Sequence, residues 1–351
     1  MMILALDLGK SKSVACRYGA ATGEHSFETI ATRPQALYDL LEVDRPDRVV
    51  IEICSVAGWV GDMVRGLGIN LQVANPNHDA WRWKNVKRKT DRDDALKLAQ
   101  LSAMNQLPVV HLPEWDVRAW RSLIQFRQQL VSRRTAIKNH IRSIVDRQAR
   151  TLRAGKSGWS EKSLKLLRAW ANPPADEAPA LWQFELSVEL GQYESLAKAI
   201  KEVESKLDEL AKSDHRVPRL STIPGVGPRL AEIVVAVLDD PRRFKSGKQV
   251  GAYVGLTPRL YESGSMSRQG KISGQGHKHL RSMLVEVSWL GLRHNGWMLE
   301  VYERVRRGSS TRKKIAIVAV ARRLLIRCWA MLRDDRNWSP PARKDSVRRA
   351  A

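Results

Sequence analysis

Leu123, Leu130, Ile137 and Ile144 recur at seven-residue steps, and Ile124, Val131 and Val145 widen the stripe. A strand alternates every second residue, so a seam kept over four heptads fits only a long helix packed along a partner. The remaining surface is cationic: from Val117 to Arg153 there are ten Lys and Arg and one acid, Asp146. A second helix follows. Leu186, Tyr193, Ile200 and Leu207 form one seven-residue row, and Leu196, Val203 and Leu210 form another. The proline-rich stretch "NPPADEAPA" breaks the chain between the two. The pattern predicts an antiparallel helical hairpin or a dimerising coiled coil over 113–215, with a positive face on its first helix.

The flanking segments differ from this middle. Residues 1–112 read as α/β. "MILALDL", "VACRYG" and "SFETIA" are strand-like, "PQALYDLLEV" has helical spacing, and "DRVVIEICS" is a buried-strand pattern. "VAGWVGDMVRGLG" is a second helix and "NLQVANPN" a further strand. Three strands, a helix, a strand, a helix and a strand predict one mixed sheet. Residues 216–335 read as a compact helical unit with glycine-rich turns, and 336–351 as a disordered basic tail.

Charge narrows the class of partner. Among 351 residues, 60 Lys and Arg face 37 Asp and Glu, a formal net charge of +23. Such a surplus calls for a polyanion, and nucleic acid is the commonest. Cys16, Cys54 and Cys328 are far apart and form no CxxC pair, which argues against a zinc site or a disulfide framework. No apolar run reaches about 18 residues, so no membrane span is expected. An N-terminus that reaches Asp7 so early does not read as a signal peptide, and a cytoplasmic protein is expected. Trp81 and Trp83 lie among Lys84, Lys87, Arg88 and Lys89, where aromatic rings could stack on bases or simply fill a core.

Against that basic background, "KTDRDDALKLA" places three carboxylates within four residues. Thr90 or Asp91 could cap a helix there, and acids in a first turn suit the macrodipole. Asp91 and Asp94, three apart, share one helix face, while Asp93 points elsewhere. Asp7 ends the first strand, and Glu52 lies inside a later apolar run, where an acid is costly unless paired or metal-bound. Each acid alone has a plain structural explanation. Converging from two strands and a helix, the four would hold two Mg2+ ions, with Mn2+ a possible substitute, in the manner of RNase H-type nucleases.

Two further motifs follow. "STIPGVGPRLAEIVVAVL" reads as a helix–hairpin–helix, in which the amides around Gly225 and Gly227 could hold a phosphate; a tight interhelical turn is the plainer alternative. "GLTPRLYESGSMSRQGKISGQGHKHLRSML" is a Ser- and Gly-rich loop with Arg259, Arg268 and Lys271 around it. A serine hydroxyl there could act as a nucleophile, or the loop could bind phosphate with no covalent role.

In this order and spacing, "LALDLGK", "VVIEICS", "KTDRDDA", the basic helix "LIQFRQQLVSRRTAIKNHIRSIV", "IPGVGPRLAEIV" and "GKISGQGHKHLRSML" resemble the DEDD-type transposases of insertion sequences, the IS110 and IS1111 group. The resemblance runs from Met1 to about residue 335. It implies an RNase H-like (RuvC-like) first domain whose metal ligands are Asp7, Glu52, Asp91 and Asp94. It also implies a mostly α C-terminal transposase domain with a nucleophilic serine, and recombination of double-stranded DNA guided by a structured bridge RNA. Position before Gly264 selects Ser263, with Ser265 as competitor. Many relatives read "SGGK" and "ISKRG" where this chain has Ser263-Gly264-Ser265-Met266 and "ISGQG". Nucleic-acid contacts are expected from Lys84, Lys87, Arg88, Lys89, Arg133, Arg134, Lys138, Arg142, Gly225, Gly227, Arg259, Arg268 and Lys271. A homodimer or tetramer in a prokaryotic, nucleoid-associated setting completes the expectation.

Three other readings compete. "ALDLGKSKS" is similar to the first phosphate loop of sugar kinases and actin-like ATPases, but their second glycine-rich motif and adenosine motif are missing. A non-enzymatic DNA-binding protein would not need four placed acids. A RuvC-like junction nuclease would use the acids and a metal-activated water, without a serine adduct.

Overall fold

The structure is a computed structural model that describes residues 1–75, 90–173, 178–263 and 266–340. It divides into two compact units, Met1–Arg118 and Ala119–Ala351.

The first unit opens with three antiparallel strands, β1 (Met2–Leu8), β2 (Lys12–Gly19) and β3 (His25–Ala31). Helix α1 (Pro34–Asp44), strand β4 (Arg48–Glu52), helix α2 (Ala57–Gly66), strand β5 (Asn70–Ala74) and helix α3 (Asp91–Ala103) follow. The sheet order is β3-β2-β1-β4-β5, with β4 parallel to both β1 and β5. This is the mixed sheet that the hydrophobic pattern predicts. Successive residues of a strand face opposite sides, and Ile3 to Leu6 are all fully buried, so both faces are covered. Leu4, Leu6, Val49 and Ile51 pack with Leu37 and Leu41 of α1 and Val60 of α2. Ile3, Ala5 and Val50 pack with Ala95, Leu98 and Ala99 of α3.

Helix α4 (Trp115–Arg147) runs on into the second unit, which adds α5 (Glu161–Ala171) and α6 (Leu181–Ser213). Arg127 pairs with Glu204 at 2.8 Å, His140 with Glu189 at 3.0 Å and Arg147 with Glu185 at 3.2 Å. As the number rises on α4 it falls on α6, so the two helices form an antiparallel pair within one chain. Leu186, Tyr193, Ile200 and Leu207 are all buried, as their spacing predicts. The α4 row is uneven: Leu130 and Ile144 are buried, Leu123 and Ile137 only partly. The far end of the pair closes on Leu167 of α5, while Trp120 and Ile124 join Leu207 in the core of the C-terminal helices.

That core gathers α7 (Arg216–Ser221), α8 (Pro228–Leu238), α9 (Gly247–Tyr253), α10 (Lys278–Gly291), α11 (Gly296–Arg306) and α12 (Lys313–Arg333). Every residue of α8 from Leu230 to Leu238 is buried, which explains its nearly unbroken apolar sequence. The Ser- and Gly-rich stretch, read from sequence as a flexible loop, forms a hairpin of β6 (Pro258–Ser263) and β7 (Met266–Ile272). Gly255 turns into it at φ +76°, and a side chain there would meet the Gln275 carbonyl oxygen at 1.9 Å, so only glycine fits. Beyond α12, Trp338 packs edge-on against Trp297 at 5.5 Å, and its amide donates to the Thr222 hydroxyl at 2.9 Å. Of the segment expected to be a disordered tail, 341–351 lie outside the described residues. Among the described residues no helix is long and apolar enough to cross a membrane.

Candidate active site

Asp7 is the last residue but one of β1 and Glu52 the last of β4, and the two are neighbouring parallel strands. Asp7 lies opposite Val14 on β2, and Glu52 opposite Ala74 on β5. Val14 and Ala74 both belong to the core under α3, so register puts both acids on the face that α3 covers. The helix runs antiparallel to β4: near its end, Ser102 accepts Arg48 Nη1 at 3.2 Å on its hydroxyl, and Arg48 starts the strand. The Ser102 hydroxyl in turn donates to Gln72 at 2.7 Å. The first turn of α3 therefore lies toward the strand ends that carry Asp7 and Glu52.

Within that turn the three acids divide their work. Thr90 is the N-cap, and Asp93 completes a capping box with it. The Asp93 carboxylate accepts the Thr90 amide at 3.0 Å and the Thr90 hydroxyl at 2.7 Å, and these bonds hold its pKa below the ordinary value. At about 100° per residue, Asp91 and Asp94 continue the stripe of Ala95, Leu98 and Ser102, while Asp93 lies on the other side. Asp94 is half-buried and Asp91 exposed. The elements thus bring four carboxylates toward one edge of the sheet. Among the described residues they do not draw three metal-ligating side chains together at metal-site spacing. All-carboxylate donors suit a hard cation such as Mg2+.

Ser263 ends β6, with its backbone opposite Met266 across the hairpin turn. Gly264 and Ser265 lie outside the described residues, as do Lys84, Lys87, Arg88 and Lys89. Arg268, Lys271 and Arg259 are exposed on the hairpin, and Arg259 reaches the Ser273 carbonyl at 3.4 Å. Arg281 holds the segment after the hairpin by donating to the carbonyls of Val254 at 2.8 Å, and of Gln275 and Gly274 at 2.6 Å.

The basic face of α4 is only partly free. Arg133 is exposed and Arg134 half-buried. Lys138 lies over the Trp159 ring at 4.9 Å, and Arg142 over the same ring at 5.6 Å while donating to the Arg153 carbonyl at 3.0 Å. Burial first, then the charges of Arg134 and Arg142, lower the Lys138 pKa. Gly225 and Gly227 lie in the turn between α7 and α8, where Gly225 takes φ +91° and Gly227 is the N-cap of α8. Asn295 holds that turn by donating to the Pro224 carbonyl at 3.1 Å.

A protein-family model described as "Transposase", of the DEDD type of IS110, matches residues 4–149, and one described as "Transposase IS116/IS110/IS902 family" matches residues 217–303. The chain belongs to this transposase family. It is thereby an enzyme of DNA cleavage and strand transfer, with DNA as its substrate. It is 29% identical to the transposase for insertion sequence element IS1111A of Coxiella burnetii, over 81% of this chain and 77% of that one. It is 26% identical to the transposase for IS1328 of Yersinia enterocolitica, over 82% of each. A pilin gene-inverting protein of Moraxella bovis is 25% identical over 72% of this chain and 68% of that one. The structure of RuvC from Thermus thermophilus overlaps 31% of this chain and all of that chain, at 15% identity and a TM-score of 0.24, too low to bear on the fold.

Several positioning residues of this transposase escape sequence reading. Arg48, Gln72 and Ser102 set the direction of α3 and lie in three separate elements. Arg121 donates to the carbonyls of Ala236 at 2.6 Å and Val237 at 3.0 Å, more than a hundred residues away. His277 caps α10 by accepting the Leu280 amide on Nδ1 at 3.3 Å. A local spacing marks the i, i+3 pair of Arg229 with the buried Glu232, at 2.9 Å.

Proposed function

We propose that this transposase is the recombinase of an insertion sequence, with Asp7, Glu52, Asp91 and Asp94 as its metal-binding acids and Ser263 as its nucleophile. The observation that carries the metal reading is the placement of Asp7 and Glu52 at adjacent strand ends, with the first turn of the antiparallel α3 toward that edge. The first unit is then an RNase H-like, RuvC-like domain over about 1–112, followed by a helical segment to 215 and a transposase domain to 335. Two Mg2+ ions, with Mn2+ as a substitute, would neutralise phosphate charge and lower the pKa of a coordinated oxygen. Thr90 and Asp93 keep the turn that presents Asp91 and Asp94, and Arg48 and Ser102 fix its direction.

At the hairpin, the Ser263 hydroxyl attacks a backbone phosphorus. An Oγ–P bond forms and the P–O3′ bond breaks. The serine proton is delivered to O3′, leaving a 3′-hydroxyl and a 5′-phosphoserine. Attack by a 3′-hydroxyl of another strand reverses these steps and joins the new partner, so no outside energy source is needed. The α7–α8 turn serves as a helix–hairpin–helix on DNA, the cations of α4 follow a nucleic-acid backbone, and a structured RNA guides the choice of sites. The active assembly is a dimer or tetramer.

Nicked DNA substrates test this reading. The adduct is expected on Ser263 by peptide mapping, and Asp94→Ala is expected to abolish cleavage while DNA binding survives. An adduct on Ser265 keeps the mechanism and moves the residue. Full strand exchange by the Ser263→Ala, Ser265→Ala double variant would sink the serine step and leave a RuvC-like nuclease using metal-activated water.

A further inference from the structure

A cavity of about 740 Å3 opens in the second unit between α4, the end of α8 and the start of α10. It falls in the size range of ligand pockets. One wall is aliphatic, built from Ile124, Ile233 and Val237, which are buried. Arg121 braces that wall through its bonds to Ala236 and Val237. Beside Ile124, Gln125, Gln128 and Gln129 share one side of α4 at i, i+3 and i+4. Arg133 and Lys278 line the rim, both exposed. Among the described residues no acidic side chain lines the cavity, in a chain that carries 37 acids.

We propose that this cavity receives a single unpaired nucleotide of the nucleic acid bound by the transposase. Its phosphate lies between Arg133 and Lys278, and the glutamine amides read the base edge. The polar groups of the cavity match parts of that ligand. Two cations with no acid suit a phosphate. An amide offers a donor and an acceptor side by side, the pairing that base edges present. His277 adds a donor: its Nδ1 accepts the Leu280 amide, so the neutral ring carries its proton on Nε2. Burial keeps that ring neutral, with its pKa lowered to about 4. A paired duplex backbone would need only surface charge and would leave the cavity unused.

The inference rests on the nucleic-acid reading of the chain, and one set of titrations separates the two. The full chain is titrated with a DNA duplex carrying one bulged 2-aminopurine, with the same duplex fully paired, and with the matching RNA pair. Tighter binding of the bulged duplex by about tenfold is expected, since a good pair of contacts to a base edge is worth about 1.4 kcal/mol or more. The ratio of bulged to paired affinity is expected to fall to about one in Gln128→Leu, Gln129→Leu and, separately, in Ser132→Trp, which fills the mouth. Arg133→Gln should lower both affinities and keep the ratio. Whichever of DNA and RNA gives the larger glutamine-dependent ratio supplies the nucleotide. Equal binding of bulged and paired duplexes, or a ratio that survives the glutamine variant, overturns the cavity proposal alone. Failure to bind any of the four overturns the nucleic-acid reading with it.

Discussion

Thr90 and Asp93 satisfy each other across the first turn of α3: the Thr90 hydroxyl accepts the Asp93 amide at 3.3 Å, and the Asp93 carboxylate accepts the Thr90 amide at 3.0 Å. Asp93 is thereby occupied by the helix start, while Asp91 and Asp94 continue the face toward the sheet. Asp93→Ala should lower the melting temperature slightly and keep most of the cleavage activity, because it removes a cap and no metal ligand. Asp91→Ala and Asp94→Ala should keep the melting temperature and lose cleavage. Equal damage from Asp93→Ala and Asp94→Ala in a nicking assay would show that the faces are assigned wrongly.

The cations of α4 should separate into two groups. Arg133 is exposed, so Arg133→Gln is expected to reduce the slope of log affinity against log salt by about one, the loss of one phosphate contact. Lys138 lies over Trp159, so Lys138→Gln should also cost stability, by about 0.5–1 kcal/mol for the lost cation–π contact. The quadruple Gln variant at Arg133, Arg134, Lys138 and Arg142 should flatten the slope furthest. An unchanged slope in fluorescence titrations at several salt concentrations would remove this helix from the nucleic-acid interface.

Stability in the C-terminal core should depend on pH through two opposing groups. Burial lowers the pKa of His277 to about 4, so as pH falls from about 6.5 to about 4 the unfolded chain takes up the proton first and stability is lost. Burial raises Glu232 to about 7 against the pull of Arg229, so the folded chain holds that proton longer and stability is lost as pH rises from about 4.5 to about 7. Melting temperatures across pH 4–8 should therefore lose their acid-side fall in His277→Asn, which keeps a capping acceptor. Glu232→Gln should lose the decline toward neutral pH. A profile unaltered by either substitution would contradict the assignment.

Two glycines of the α7–α8 turn should behave differently. Gly225 takes φ +91°, and a side chain there would come within 3.3 Å of Gly291, so Gly225→Ala should destabilise by about 1 kcal/mol or more whether or not DNA is present. Gly227 has an ordinary φ of −88° and open space for a methyl group, so Gly227→Ala should fold normally. Weaker DNA binding by Gly227→Ala at an unchanged melting temperature would support a backbone phosphate contact at this turn. Normal binding would make the turn a structural connection only.

The mixed sheet, the two long helices and the order of the four acids are legible in the sequence because they rest on local geometry. Side chains alternate every two residues along a strand, recur every three or four along a helix, and hold a seven-residue seam where long helices pair. The row Leu186, Tyr193, Ile200, Leu207 is buried throughout for that reason. The matching row on α4 is uneven because Trp120 and Ile124 leave the helix pair for the C-terminal core, which no periodicity within α4 records. Thr90 and Asp91 are both acceptable caps of α3, and the structure uses Thr90, which sets Asp91 and Asp94 on the stripe that continues to Ala95 and Leu98. The direction of α3 over β4 depends on Arg48 meeting Ser102, 54 residues on, and the wall of the cavity on Arg121 meeting Ala236, 115 residues on. Contacts at such separations are selected by how buried surfaces fit and by where buried donors find acceptors, so only the tertiary structure decides them.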